Sequence, residues 1–162
     1  MKVLLPVDDS AASAKAVQFV AQFLAARGSK DQVILYHVAE VLPEYVQSNT
    51  PEPGMTTRSE ATAQAKQAKA DGEALLGRQK QTLVGAGVAA EAVQTKLGET
   101  DCLPESKKVA AALAIIAEMQ SGNYDLVCLG RRGASGLQSS LIGGVAEKVL
   151  REGQGRSVLV VD

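Results

Sequence analysis

No apolar run in this sequence approaches the ~18 residues that a membrane-spanning helix needs, so no span is expected. The first residues, "MKVLLPVDDS", meet an acidic break too early for a signal peptide, and a cytoplasmic location is the expectation. Net charge is nearly absent: 17 basic residues against 18 acidic ones leave −1, which offers no general field to hold a polyanion such as duplex DNA. Nucleic acid is therefore not expected as a partner. Cysteine is scarce, and neither Cys102 nor Cys128 has a second cysteine or a histidine at metal-ligand spacing. Both fit a reducing compartment, Cys128 as a core residue and Cys102 as a loop thiol. His37 is the only histidine, and no G-x-S-x-G elbow or paired-carboxylate signature accompanies it. A packed or capped imidazole is expected there rather than a proton relay.

What is present is an ordinary globular composition. Hydrophobic residues at 46% and charged residues at 22% argue against disorder and against a fibrous chain. A chain of 162 residues is expected to form one domain, burying roughly two thirds of its unfolded surface, with no room for a second.

Strand and helix signals alternate along the chain. "KVLLPV" reads as a strand buried on both faces, and Asp9 or Ser10 caps a helix to about Arg27, with Ala16, Val17, Val20, Phe23 and Leu24 on one stripe and Gly28 as its stop. The second strand is expected over Gln32 to Val38, followed by a long proline-bearing loop from Val41 to Met55 that would be a lid, a partner surface or partly disordered. Thr57 with Glu60 makes a capping box for a helix to about Val84 whose first half is too polar to be buried. A third strand over Ala92 to Leu97, nearer a sheet edge, then gives way after Gly98 to a charged loop. A helix over Val109 to Gln120, a buried strand over Tyr124 to Gly130, a helix from about Gly143 to Glu152 and a terminal strand "SVLVVD" complete the chain. This alternation predicts an α/β fold: a five-stranded, mostly parallel, open doubly wound sheet with right-handed crossovers.

Five glycines, Gly130, Gly133, Gly136, Gly143 and Gly144, cluster after the fourth strand, where such folds bind ligands beyond the strand ends. Gly130 and Gly133 allow a sharp turn that aims successive N–H groups at an anion, and Gly143 and Gly144 open the last helix, whose first N–H groups lack partners. Exposed amides at Gly130, Gly133 and Gly143 would then converge on one phosphate. Gly136 would keep the covering segment pliable, Ser139 and Ser140 would reach down from it, and Arg131 or Arg132 would add charge, Arg132 being the better placed because it abuts Gly133. The alternative is that these glycines only make turns. Neither G-x4-G-K-S/T nor G-x-G-x-x-G occurs here, so any nucleotide site has another design.

At these residues the sequence resembles the universal stress protein family, whose nucleotide-binding members carry G-x2-G-x9-G-S/T between the fourth strand and the last helix. Gly130, Gly133 and Gly143 match the three glycines with gaps of two and nine. "VLLPVDDS", "VILYHV", "YDLVCLGRRG" and "RSVLVVD" are similar to the family's first, second, fourth and fifth strands, and only Glu40 to about Thr57 and Glu99 to Lys108 fall outside the likeness. The resemblance implies an adenine-nucleotide α-hydrolase-like sheet of order 3-2-1-4-5 and an adenine nucleotide at the carboxyl ends of strands 1 and 4. It places Asp8 beside adenine and ribose, lets Pro6 and Val7 lend backbone groups and an apolar wall, and sets Val38 against the base. The implied site comprises Pro6, Val7, Asp8, Val38, Leu129, Gly130, Arg132, Gly133, Gly143, Gly144 and Val145. The resemblance also implies a homodimer through the terminal strand, Ser157 to Val161.

Two departures bear on the ligand. Gly144 stands where the family has Ser or Thr, and losing that hydroxyl's bond to a charged phosphate costs about 1.5–3 kcal/mol, one to two powers of ten in affinity. Asp9 replaces a glycine of the family's D-G-S and adds negative charge near the expected phosphates. ATP with magnesium, ADP, AMP or no nucleotide all remain open. Three functions compete: a nucleotide-binding regulatory module, a nucleotide-free stress-response scaffold, and an enzyme related to the adenine-nucleotide α-hydrolases. The last is disfavoured because "VDDSAAS" stands where an S-G-G-x-D-S pyrophosphate loop is required. No residue is evidently placed to activate water, so at most slow hydrolysis is expected. On this reading Gly130→Val would abolish binding and leave a folded protein.

Overall fold

The computed structural model describes residues 1–27, 31–41, 58–101, 107–133, 141–153 and 155–162. Five strands, β1 (Lys2–Pro6), β2 (Gln32–Val41), β3 (Val93–Asp101), β4 (Leu126–Gly130) and β5 (Ser157–Val161), alternate with four helices. These are α1 (Ala11–Arg27), α2 (Arg58–Gly85), α3 (Lys107–Ser121) and α4 (Gly144–Glu152). The strands lie in the order β3-β2-β1-β4-β5 and every neighbouring pair is parallel, as the alternation predicted.

Successive side chains in a strand point to opposite faces. Val3, Leu5, Val33, Leu35 and Cys128 therefore pack under α1 and α2 through Val17, Val20, Leu75, Leu76 and Leu83. Leu4, Ile34, Tyr36, Val127 and Leu129 pack under α3 and α4 through Ile115, Ile116, Met119 and Val149. Burial pushes the Cys128 thiol up to about 12, so it behaves as a small core hydrophobe.

Three boundaries differ from the sequence expectation. β2 continues three residues beyond Val38, to Val41, and β3 continues through Glu99 to Asp101 instead of entering a charged loop at Gly98. The reason is mutual: each extension supplies the other's ladder, Val38 opposite Gly98 through Val41 opposite Asp101. That cross-strand pairing leaves no trace in the local pattern of either segment. β4 starts at Leu126, because Tyr124 turns out of the strand direction to a carboxylate on α3. β3 is an edge strand, as its weaker apolar pattern indicated. The first half of α2 is largely exposed, its buried residues being Ala61, Gly72, Leu75, Leu76 and Leu83. The expected stop at Gly28, the Thr57 cap, the Val41 to Met55 loop beyond Val41 and Cys102 lie outside the described residues.

A buried polar cluster lies near the amino ends of β1 and β4. Glu118 is only 8% exposed. Its Oε1 accepts the Tyr124 hydroxyl at 2.5 Å and its Oε2 accepts Lys96 Nζ at 2.6 Å. Burial alone would raise this carboxyl's pKa. The hydrogen bonds from Lys96 and Tyr124, with the charges of Lys96 and Lys2, outweigh burial and hold it below the ordinary carboxylate range.

Candidate functional site

Connections leave β1 for β2 and β3 on one side and return for β4 and β5 on the other, so a crevice opens between the carboxyl ends of β1 and β4. Its first wall is the β1–α1 turn. Asp8 Oδ1 accepts the Ser10 N–H at 3.0 Å and the Ser10 hydroxyl at 2.5 Å. Ser10 Oγ in turn accepts the Ser13 N–H at 3.0 Å, and the Asp8 N–H donates to Ser13 Oγ at 3.1 Å. Ser10 is thus the cap of α1, and this closed ring holds Asp8 rigid at the mouth of the crevice. A turn role and a ligand contact are compatible at Asp8: Oδ1 serves the turn while Oδ2 faces Gly133.

The second wall is the turn after β4, where the glycines answer to three different neighbours. A Cβ built on Gly130 would stand 2.6 Å from the Ala12 carbonyl carbon and 2.7 Å from the Ser13 nitrogen, so only glycine lets α1 approach the end of β4. One on Gly133 would meet Asp8 Oδ2 at 2.9 Å, and one on Gly143 the Arg131 carbonyl oxygen at 3.1 Å and the Arg132 Cα at 3.2 Å. The three glycines of the motif therefore bring the β1–α1 turn, the β4 turn and the start of α4 into contact. Among the described residues nothing lies within 4 Å of a Cβ built on Gly144.

The donor set differs from the one expected from spacing. The Gly143 N–H is consumed, donating to the Arg131 carbonyl at 2.8 Å, so it is unavailable to an anion. Gly130 is the last residue of β4, pressed on the backbone of α1. Gly130→Val consequently cannot leave the fold intact, because the side chain would have to displace main chain. The donors suited to an anion are the start of α4, where Gly144 and Val145 fall in the first turn without intrahelical acceptors and, among the described residues, no side chain caps the helix. The exposed Gly133 backbone faces them across the turn, and the positive end of the α4 dipole adds to this field.

The remaining predicted residues divide. Pro6 and Val38 lie by strand alternation on the α3/α4 face, where Leu129 is buried and Val38 and Val145 pack at the margin of the core. Val7 is buried on the opposite face, with its N–H donated to the Tyr36 carbonyl at 2.8 Å and its carbonyl accepting His37 Nδ1 at 2.8 Å. Val7 and Val38 therefore do not present side chains to one wall, and the Val7 backbone groups are already used. Arg132 flanks Gly133, half-buried. Asp9 does not lean on the crevice alone: it pairs at 3.1 Å with Arg78 of α2, both exposed. Gly136, Ser139 and Ser140 lie outside the described residues.

Sequence reasoning missed Ser13; it read His37 as a packed or capped imidazole and Arg131 as the lesser alternative to Arg132 for phosphate charge, without the clamp on the end of β1 or the bridge from β5 to α4. The signal for Ser13 was present, since "DDSAAS" spaces two hydroxyls as a helix start requires. His37 and Arg131 act through residues remote in the chain, and no local pattern foretells such contacts. Among the described residues no three His, Cys, Asp or Glu side chains stand close enough to hold a metal, and no helix is long and apolar enough to cross a membrane.

Comparison with known proteins agrees with this fold. The model of the universal stress protein family matches residues 1–162. No curated protein matched the sequence significantly. Among solved structures, universal stress protein UspA from Lactobacillus plantarum superposes with a TM-score of 0.73 at 16% identity, covering 100% of this chain and 97% of that one. A universal stress protein in complex with cAMP gives 0.61 at 20% identity, covering 100% and 97%. One from Archaeoglobus fulgidus in complex with dAMP gives 0.54 at 16% identity, covering 100% and 98%. At these identities the structural likeness establishes the fold, and the family match over the whole length establishes membership: the chain belongs to the universal stress protein family.

Proposed function

We propose that this protein is a regulatory module of the cytoplasm that binds an adenine nucleotide in the crevice between β1 and β4 and works as a homodimer. The observation that carries the reading is the convergence of three segments on the motif glycines, beside an α4 amino terminus that no described side chain caps. That arrangement suits a phosphate. The cAMP and dAMP complexes of the structural neighbours support an adenine nucleotide as the class of ligand.

In this reading Pro6, Asp8 and Val38 border base and ribose, while Val7, Leu129 and Gly130 shape the strand ends. Gly133, Gly144 and Val145 offer amides, Gly143 positions the helix start, and Arg132 supplies charge. A hydroxyl is missing at Gly144, so the site tolerates one or two phosphates better than three. Magnesium would arrive on the phosphates, since no described acidic cluster awaits it. The edge position of β5 and its four half-buried apolar residues, Val158 to Val161, favour pairing with a second copy.

The test is nucleotide binding by the purified protein. AMP, ADP or ATP at about a hundred times Kd should stabilise the fold by about 2.7 kcal/mol, which for a chain of this length is about 5–10 °C in melting temperature. No shift with any of the three, and no nucleotide released on denaturation, would replace this reading with a nucleotide-free scaffold.

A further inference from the structure

Arg131 holds three parts of the molecule at once. Its N–H donates to the Val161 carbonyl of β5 at 2.6 Å, and its carbonyl accepts the Gly143 N–H at the start of α4 at 2.8 Å. Its guanidinium pairs with the Asp162 carboxylate, Nη1 to Oδ2 at 2.9 Å. Its Nε–H is buried with no acceptor among the described residues. A buried donor without a partner is costly, so this guanidinium is only partly satisfied by Asp162.

Asp162 is 62% exposed and the Arg131 side chain 31%. Surface pairs of this kind are weak, whereas a phosphate dianion offers a guanidinium two parallel charge-assisted bonds. Arg131 therefore has a weak resident partner, an unused donor, and a backbone fastened to the helix start where an anion would lie.

We propose that Asp162 is an internal competitor of the ligand: on nucleotide binding the Arg131 guanidinium exchanges the Asp162 carboxylate for a phosphate oxygen, freeing the Asp162 side chain beside the end of β5. This rests on the nucleotide reading above and adds a regulatory link between the crevice and the edge strand. Asp162 lowers affinity by occupying Arg131, and the pairing of Asp162 responds to occupancy of the crevice. By linkage, whatever holds Asp162 elsewhere tightens nucleotide binding by the factor with which nucleotide frees Asp162.

The experiment is a double-mutant cycle read by calorimetric titration with AMP and with ATP. Asp162→Asn should tighten binding about two- to fivefold, the range of an exposed ion pair. Arg131→Gln should weaken it about tenfold or more, as loss of a charge-assisted bond does. In the Arg131→Gln background Asp162→Asn should change nothing. A gain from Asp162→Asn that persists without Arg131 would mean only a general charge effect and would overturn the exchange, as would equal affinities throughout. The Arg131 Nε–H resonance of the wild-type protein should shift on adding AMP, and an unmoved resonance at saturation counts against the proposal independently of affinity. Failure of AMP, ADP and ATP alike to bind the wild type defeats the nucleotide reading itself and the exchange with it, whereas normal binding with an inert cycle defeats the exchange alone.

Discussion

Replacing Gly130 with alanine separates packing from ligand binding in the glycine motif. The added methyl carbon would lie 2.6 Å from the Ala12 carbonyl carbon and 2.7 Å from the Ser13 nitrogen, both main-chain atoms that no rotamer change can move. Carbon contacts are comfortable at about 3.5–4.0 Å, so α1 and β4 must part by about 1 Å. That displacement pulls on the Ser13 N–H to Ser10 Oγ bond and on the ring around Asp8. Overpacking of this kind costs about 1–3 kcal/mol, and a target with no yielding side chain belongs in the upper half of that range. For a chain of this length 2–3 kcal/mol lowers the melting temperature by about 4–12 °C. Gly144→Ala is the matched control, since no described residue lies within 4 Å of its Cβ. At a helix start it should be neutral or stabilise by up to about 1 kcal/mol through the unfolded chain. Scanning calorimetry of both variants without ligand checks the pair. If Gly130→Ala melts with the wild type, the close approach of α1 is not what requires glycine there, and a direct ligand role for its amide regains its place.

Further outcomes follow from other contacts. Gly144→Ser has room for its side chain and should tighten ATP binding about tenfold or more in titration calorimetry, by restoring one hydrogen bond to a charged group; unchanged ATP affinity would move the phosphates away from α4. A charge at Val160, as in Val160→Asp, should yield monomers by sedimentation equilibrium, and a persistent dimer would place the interface elsewhere than β5. Glu118→Gln should destabilise the protein at neutral pH by about 1–3 kcal/mol, because the buried Tyr124 hydroxyl and Lys96 lose a charged acceptor. The folded pKa of Glu118 is lowered, so its contribution is complete above its ordinary value of 4.5 and is lost as pH falls through the depressed folded value. The gap between wild type and Glu118→Gln in urea midpoints should therefore narrow below about pH 4.5 and stay constant above it; a gap that widens in acid would refute the assignment of that charge.

The alternation of apolar strands and amphipathic helices determined by itself the parallel sheet, its order through the family likeness, and the crevice at the end of β4. Those features rest on periodicity and on short motifs, which are local. A cap at Asp9 or Ser10 and β3 as an edge were legible for the same reason. Tertiary structure alone decided what each glycine faces: Gly130 the backbone of α1, Gly133 the Asp8 carboxylate, Gly143 the Arg131 carbonyl, and Gly144 none of the described residues. A G-x2-G-x9-G pattern reports that side chains are absent but not which neighbour excludes them, because those neighbours come from segments up to about 120 residues away in the sequence. The extra length of β2 and β3, the grip of His37 on Val7 and the pairing of Arg131 with Asp162 belong to the same class. Each is a bond between remote residues, formed only once the sheet has brought them together.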